Sequence, residues 1–237
     1  MLDRRVAIVQ SCYIPWKGYF DLLNIVDHFL LYDDAEYSKN SWRNRNRVKT
    51  ANGTQWLTIP VAYSGRSHQR IDEVTVTDPG WRERHWKTLR QSYARAPHFD
   101  GYAPELEKLY LGNGERRLSE INRAFIEHIC GLLGIETTLS WTSELDVEGS
   151  GTERVVALCS AVGASAYVSG PSARDYLDAQ QFDRAGIELE WIDYGGYPEY
   201  PQPHPPFEHA VTVLDLLFSV GPETPGYMKS FAARSLV

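Results

Sequence analysis

Arg43, Arg45, Arg47 and Lys49 recur at strict two-residue spacing, a few positions after the acidic pair Asp33 and Asp34. In an extended segment successive side chains alternate faces, so this spacing puts the four cations on one side and Asn44, Asn46 and Val48 on the other. A planar guanidinium fork matches phosphate or carboxylate through two parallel hydrogen bonds, so arginine at three of the four positions suggests an anion site. A solvated edge strand whose charges keep it soluble would carry the same spacing. Asp33 and Asp34 could hold a divalent cation, orient a hydroxyl or amine, or serve as a base, and as strand neighbours they point apart, so one of them faces a pocket. A turn cap paired to a nearby arginine would also account for them.

Other residues offer weaker signals. His85 lies among Trp81, Trp86 and Lys87 on an expected helix, where it reads as a general base, an anion contact or a packing histidine. Thr152-Glu153-Arg154 opens a helix, so the positive helix start and Arg154 could receive an anion together, although Thr152 as an ordinary cap explains the pattern equally well. The turn Ser169-Gly170-Pro171-Ser172 could cradle a phosphate through backbone amides but is too short for a P-loop. Cys12 follows a strand and precedes a helix, a place that favours thiolate, yet a packed spectator thiol is the stronger expectation. There is no G-x-G-x-x-G after the first strand, no Walker lysine motif, no G-x-S-x-G elbow and no metalloprotease helix, so common dinucleotide redox chemistry and serine hydrolysis lose support.

The elements that must position these residues alternate. Val6–Val9 reads as a buried strand, 18–27 as a helix and Phe29–Tyr32 as a second strand, a β-α-β unit in about thirty residues. Strand character returns over 55–61 and at Ile71, Val74 and Val76; helices are expected over 81–95, 103–110 and 119–133, the last capped by Ser119 and closed by Gly134. The final third reads as strand 135–140, helix 152–162, strand 166–168, helix 172–182 closed by Gly186, strand 187–192, an ordered loop 194–207 and helix 211–219. Such alternation predicts an α/β fold: a mostly parallel, Rossmann-like sheet flanked by helices, one domain over 1–237, with a helical insertion at about 81–133. In such sheets ligands bind outside the carboxyl ends of the strands. Gln10 to Tyr13, Asp33-Asp34, Ser169-Gly170 and Asp193-Tyr194 all fall at those ends.

The 237 residues carry a net charge of −7, which argues against nonspecific nucleic-acid binding and makes the basic cluster local, suited to a small anionic ligand. Three cysteines, Cys12, Cys130 and Cys159, lack close pairing or metal-type spacing, so a reducing, cytoplasmic setting is expected. The N-terminal residues lack a signal-peptide core, and no apolar run is long enough to span a bilayer. No membrane partner is expected.

Several blocks together resemble the WbqC-like protein family. They are Val6-Ala7-Ile8-Val9-Gln10, Tyr13, Pro15-Trp16, Gly18-Tyr19-Phe20, Tyr32-Asp33-Asp34, and Lys39 through Trp42 to Asn44-Arg45-Asn46-Arg47. Trp56 to Val61, Tyr167-Val168-Ser169-Gly170 with Tyr176-Leu177, and Leu214 to Phe218 before Gly221 extend the likeness over nearly the whole chain. Ser11 departs from it, since the family usually carries proline there. The resemblance implies a bacterial protein associated with O-antigen, other surface-polysaccharide or small-molecule biosynthesis, and transfer of an acyl or aminoacyl group to an activated sugar or similar acceptor.

With the residues, this gives a transferase in which Arg43, Arg45, Arg47 and Arg154 hold an anionic, phosphorylated or nucleotide-linked substrate. Asp34, His85 or Asp33 takes a proton, while Gln10, Tyr13, Trp16, Lys39, Asn44, Ser169 and Gly170 complete the binding surface. The donor would be an acyl or aminoacyl group on a carrier, an aminoacyl-tRNA among the candidates. Magnesium-dependent nucleotidyl transfer or adenylate formation, with Asp33 or Asp34 holding the metal, is one alternative. A non-catalytic scaffold, favoured by seven tryptophans and fourteen tyrosines, is another.

Overall fold

A computed structural model describes residues 3–234 apart from 64, 66, 67 and 113. Five short segments, the central three apolar, pair into one parallel sheet: β1 (Arg5–Val9), β2 (His28–Leu31), β5 (Thr138–Trp141), β6 (Ala166–Ser169) and β7 (Glu188–Trp191). Their order across the sheet is β5-β2-β1-β6-β7. The chain therefore steps outward from β1 through β2 to β5, returns to the other side of β1 and steps outward again. This reversal places a topological switch point between β1 and β6, where their carboxyl ends diverge and leave a crevice.

The strand residues explain why both faces need covering. Val6, Ile8, Leu30 and Tyr167 point to one side and pack with Val155, Leu158 and Phe182 of α5 (Gly151–Ala161) and α6 (Ala179–Ala185). Their alternates Ala7, Phe29, Leu31 and Val168 enter a larger core. That core includes α1 (Lys17–Asn24), α4 (Leu118–Leu133) and α7 (Val213–Val220). Hydrophobic side chains on both sides of a strand are what a buried parallel sheet requires. Gly134 ends α4 with φ 67°, a left-handed conformation in which the missing Cβ avoids strain.

Between β2 and β5 the insertion is more than helical. It opens with an antiparallel hairpin, β3 (Arg45–Thr50) and β4 (Gly53–Thr58), turned through Ala51-Asn52, before α2 (Trp81–Tyr93) and α3 (Phe99–Leu111) lead to α4. Three local expectations are corrected. Ile71–Glu73 is a 3-10 turn rather than the start of a strand, and Val76 and Thr75 make only isolated bridges, to Val61 and Arg117. The segment 172–182 is broken: a 3-10 turn over Pro171–Asp175 stops before Asp178, whose carboxylate caps α6 at the Gln180 amide, 3.0 Å away. Ser119 lies inside α4, which begins one residue earlier.

The remaining helix, α8 (Lys229–Arg234), closes the described chain. None of the helices is long and apolar enough to cross a membrane, among the described residues.

Candidate functional site

The loop leaving β1 at the switch point is held in a costly conformation. Ile14 has φ 37°, which is rare for a β-branched residue, and it is fully buried. Asn46 of β3 holds it there: its Nδ2 donates to the carbonyls of Tyr13 (3.1 Å) and Ile14 (2.8 Å), while its Oδ1 accepts from the Arg47 amide (2.7 Å). The inward face of the hairpin is thus a structural tie. Asn44 belongs to it too, donating from Nδ2 to the Ile59 carbonyl at 2.9 Å.

The outward face carries the cations. Arg43, just before β3, reaches the loop after β1, donating from Nη2 to Gln10 Oε1 and from Nη1 to Cys12 Sγ at 3.2 Å. The Arg45 guanidinium lies 4.2 Å from the Trp56 ring centre, and that of Arg47 lies 5.5 Å from Trp56 and 5.9 Å from Trp42. The two indoles touch at 5.2 Å between centres, and both are unusually open for tryptophan, 43% and 41% exposed. Exposed Lys39 sits 4.5 Å over the ring of Tyr63. Among the described residues none of Lys39, Arg43, Arg45 and Arg47 forms an ion pair with a carboxylate. The Nε atoms of all three arginines are buried and lack a hydrogen-bond partner. Lys49 departs from the expected comb: residues near Pro206 cover it, and its Nζ donates to the Pro206 carbonyl at 2.5 Å.

A cavity of about 290 Å³ opens beside this face, walled by Trp16, Tyr19 and Trp42 with Cys12, Asn46 and Ala210. Trp16 is held by Tyr194 and Tyr197, with ring centres 5.2 and 5.8 Å away. It also packs against the start of α1, where a Cβ on Gly18 would meet the indole at 2.3 Å. Across the crevice, Ser169 is buried at the end of β6, and Gly170 follows it with Tyr194 beside it. Burial raises the Cys12 thiol above its ordinary value and outweighs the opposing pull of Arg43, so the thiolate-favouring helix start does not prevail.

The two aspartates have different partners. Asp33, 1% exposed, accepts from the Ser11 amide (2.8 Å) and hydroxyl (2.6 Å), and burial pushes its carboxyl up to about 6. Asn122 of α4 joins this network, donating to Ser11 Oγ (3.0 Å) and to the Arg43 carbonyl (2.9 Å). Asp34 is paired with Arg154 and accepts from the Thr142 hydroxyl at 2.6 Å. Arg154 thus meets a carboxylate of its own chain. No group of three or more His, Cys, Asp or Glu side chains spaced to hold a metal ion occurs among the described residues.

Tyr13 and His85 sit deeper. The Tyr13 hydroxyl is 2.9 Å from His85 Nδ1 and 2.6 Å from the Tyr110 hydroxyl, with Trp81 and Phe125 packed edge-on against its ring. Burial holds His85 down at about 4 and so keeps it neutral. The structure therefore gathers Gln10, Trp16, Arg43, Arg45 and Arg47 around one face, with Asp33 behind it, while Lys39 stands over Tyr63. It turns Tyr13, Asn44 and His85 into the interior and closes Asp34 on Arg154. Sequence reasoning assigned no role to Trp42, Trp56 or Tyr19, while Tyr194 was placed only at a strand's carboxyl end; tryptophans flanking an arginine comb were the available signal for the first two.

Comparison with known proteins agrees with the blocks noted in the sequence. The model of the WbqC-like protein family matches residues 10–227, and the chain belongs to that family. It is 47% identical over 226 residues to "Uncharacterized protein Rv1507c" of Mycobacterium tuberculosis (strain ATCC 25618 / H37Rv), covering 95% of this chain and 98% of that protein. No solved structure matches it.

Proposed function

We propose that this protein is a small-group transferase that moves an acyl or aminoacyl group from a carrier to an anionic, phosphorylated or nucleotide-linked acceptor, in surface-polysaccharide or small-molecule biosynthesis. One observation carries this: in an acidic chain, cations without carboxylate partners adjoin the walls of a cavity at the sheet's switch point, Arg43 against Cys12 and Arg47 against Trp42. Arg43, Arg45 and Arg47 hold the anion. Gln10 and Asn46 keep Arg43 and the first loop in place.

In the transfer, the lone pair of an acceptor amine or hydroxyl attacks the donor carbonyl carbon. A carbon–nitrogen or carbon–oxygen bond forms, and the carbon–sulfur or carbon–oxygen bond to the carrier breaks. The acceptor's proton passes to a base and on to the departing thiolate or alkoxide. Of the three candidates Asp33 is the one pushed up to about 6, where a carboxyl exchanges protons near neutrality, and because it is buried and bonded to Ser11 the proton would reach it through that loop. Asp34 is occupied by Arg154 and Thr142, and His85 is too weak a base. Holding both reactants in line can supply about 7–11 kcal/mol of the barrier without a covalent intermediate.

The test is a thermal-shift titration of the whole chain with nucleotide sugars, nucleotides, acyl-coenzyme A and aminoacyl-tRNA, repeated with Arg43→Ala. The expected result is stabilisation by a phosphorylated ligand that Arg43→Ala loses, and, with a donor present, an acceptor mass raised by the transferred group. If the wild type responds to none of these, the transferase assignment fails and a scaffold role takes its place.

A further inference from the structure

We infer that the anion taken by this site is a nucleoside diphosphate, free or as part of a larger molecule, with its base in the aromatic cavity and its phosphates along Arg43, Arg45 and Arg47. The inference rests on the proposed transferase site for its location and adds the chemical class of the ligand.

The cavity walls indicate a flat, weakly polar guest. Trp16, Tyr19 and Trp42 present rings, and Pro15 and Ala210 add apolar surface. The one amide among the walls, Asn46, spends its donors on the Tyr13 and Ile14 carbonyls and accepts from the Arg47 amide. A sugar ring would bring several hydroxyl groups needing partners that these walls lack, whereas a heterocycle needs π faces. The indole N–H groups of Trp16 and Trp42 and the Tyr19 hydroxyl are the hydrogen-bonding side-chain groups left among those walls, too few to read a base edge, so purine and pyrimidine should be accepted alike. A volume of about 290 Å³ has room for one base with part of its ribose.

The phosphate positions follow from what adjoins that cavity. Cys12 and Trp42 are both walls; Arg43 Nη1 is 3.2 Å from Cys12 Sγ, and the Arg47 guanidinium is 5.9 Å from the Trp42 ring centre. Cations thus begin where the rings end, which is the layout of a nucleotide: a planar apolar head joined through ribose to a short chain of charge. Single-stranded nucleic acid uses the same two contacts, but it needs a long basic track. Here the cations form one small cluster on a chain of net charge −7.

The experiment is isothermal titration of the full chain at low ionic strength with ADP, UDP, adenosine, inorganic pyrophosphate and a single-stranded oligonucleotide. Wild type, Trp42→Ala, Trp42→Phe and Arg45→Ala are compared. ADP and UDP should bind alike, each about tenfold or more tighter than pyrophosphate. Trp42→Ala should bring both down to the pyrophosphate level while shifting pyrophosphate itself by no more than about twofold, since Arg47 keeps its contact with Trp56, Trp42→Phe should restore most of the loss, and Arg45→Ala should weaken all three anions. Because Trp42 is 43% exposed, its truncation should leave the fold intact, which the retained pyrophosphate binding reports.

Nucleoside diphosphates no tighter than pyrophosphate, or unaffected by Trp42→Ala, would overturn the inference while leaving the anion site standing. An oligonucleotide that binds more tightly than ADP would overturn it in favour of a nucleic-acid surface. If neither pyrophosphate nor any nucleotide binds, the anion site and the transferase proposal fail with it.

Discussion

Two corners of the sheet's carboxyl edge carry arginine, and they are built differently. At the end of β2, Arg154 meets Asp34, and the two side chains are 13% and 8% exposed. Arg154 also bonds the Val147 carbonyl at 3.2 Å and lies 5.2 Å from the Tyr32 ring centre. On the hairpin, Arg43, Arg45 and Arg47 have aromatic rings, a side-chain amide and a thiol as neighbours. Matching a buried cation with a carboxylate makes it part of the fold, and removing one partner leaves the other charge uncompensated. Cations stacked on half-open rings keep their charge available to an incoming anion. Arginine at an expected binding edge is therefore not one thing; what it faces decides whether it supports the fold or faces a ligand.

The sharpest way to break this distinction is Arg154→Ala. Leaving Asp34 buried beside Thr142 should cost about 3 kcal/mol, lowering Tm by roughly 6–12 °C in a calorimetric scan. A variant that melts like the wild type would place Arg154 with the ligand-facing group instead.

Next in size is a pH effect from the two buried titrating groups behind the site. Asp33 is raised from 3.8 to about 6, so its contribution to stability is full below pH 3.8 and is lost as pH rises through 6. His85 is lowered from 6.5 to about 4, so its contribution is full above pH 6.5 and is lost as pH falls through 4. The two slopes oppose each other between about pH 4 and 6. Asp33→Asn removes one of them, and its denaturation midpoint should fall more steeply than the wild type's on acidification from pH 6.5 to 4. Parallel curves would show that burial does not perturb Asp33.

Arg45→Ala follows, with a pyrophosphate dissociation constant raised about tenfold, since a charge-assisted contact is worth about 1.5–3 kcal/mol, and with Tm unchanged within a few degrees. Should it melt as Arg154→Ala does, the two corners would be alike. The smallest effect belongs to Lys39→Ala: with its exposed ammonium over Tyr63, a two- to threefold loss of affinity, about 0.5 kcal/mol, is expected, and it should vanish at high salt.

Much of the frame was legible in the sequence because parallel strands announce themselves through continuous apolar runs. Val6–Val9, Phe29–Leu31 and Ala166–Val168 fall where their β-branched and aromatic residues place them, and Gly134 and Gly186 end helices as their freedom at positive φ predicts. The two-residue period correctly put Arg43, Arg45 and Arg47 on one face, with Asn44 and Asn46 on the other. It could not show that the chain around Pro206, 157 residues away, covers Lys49. Long-range pairing also hid the fate of Asp34, whose cation lies 120 residues on, and of His85, whose partner Tyr13 is 72 residues earlier. Local spacing reports periodicity, whereas such meetings are made by topology. Gly53, which takes φ 98° just after the Ala51-Asn52 turn, was the readable signal for the hairpin that lies ahead of the strand expected over 55–61.

Asn46 bridges two elements that the chain lays down more than thirty residues apart, and what it grips is the backbone of Ile14 in its left-handed state. If the hairpin swung outward, that grip would open and the loop would relax into an ordinary conformation, so the two can move only together. The arginine row is thereby latched to the rim of β1 before any guest arrives, and little of the entropy of docking is spent on arranging it.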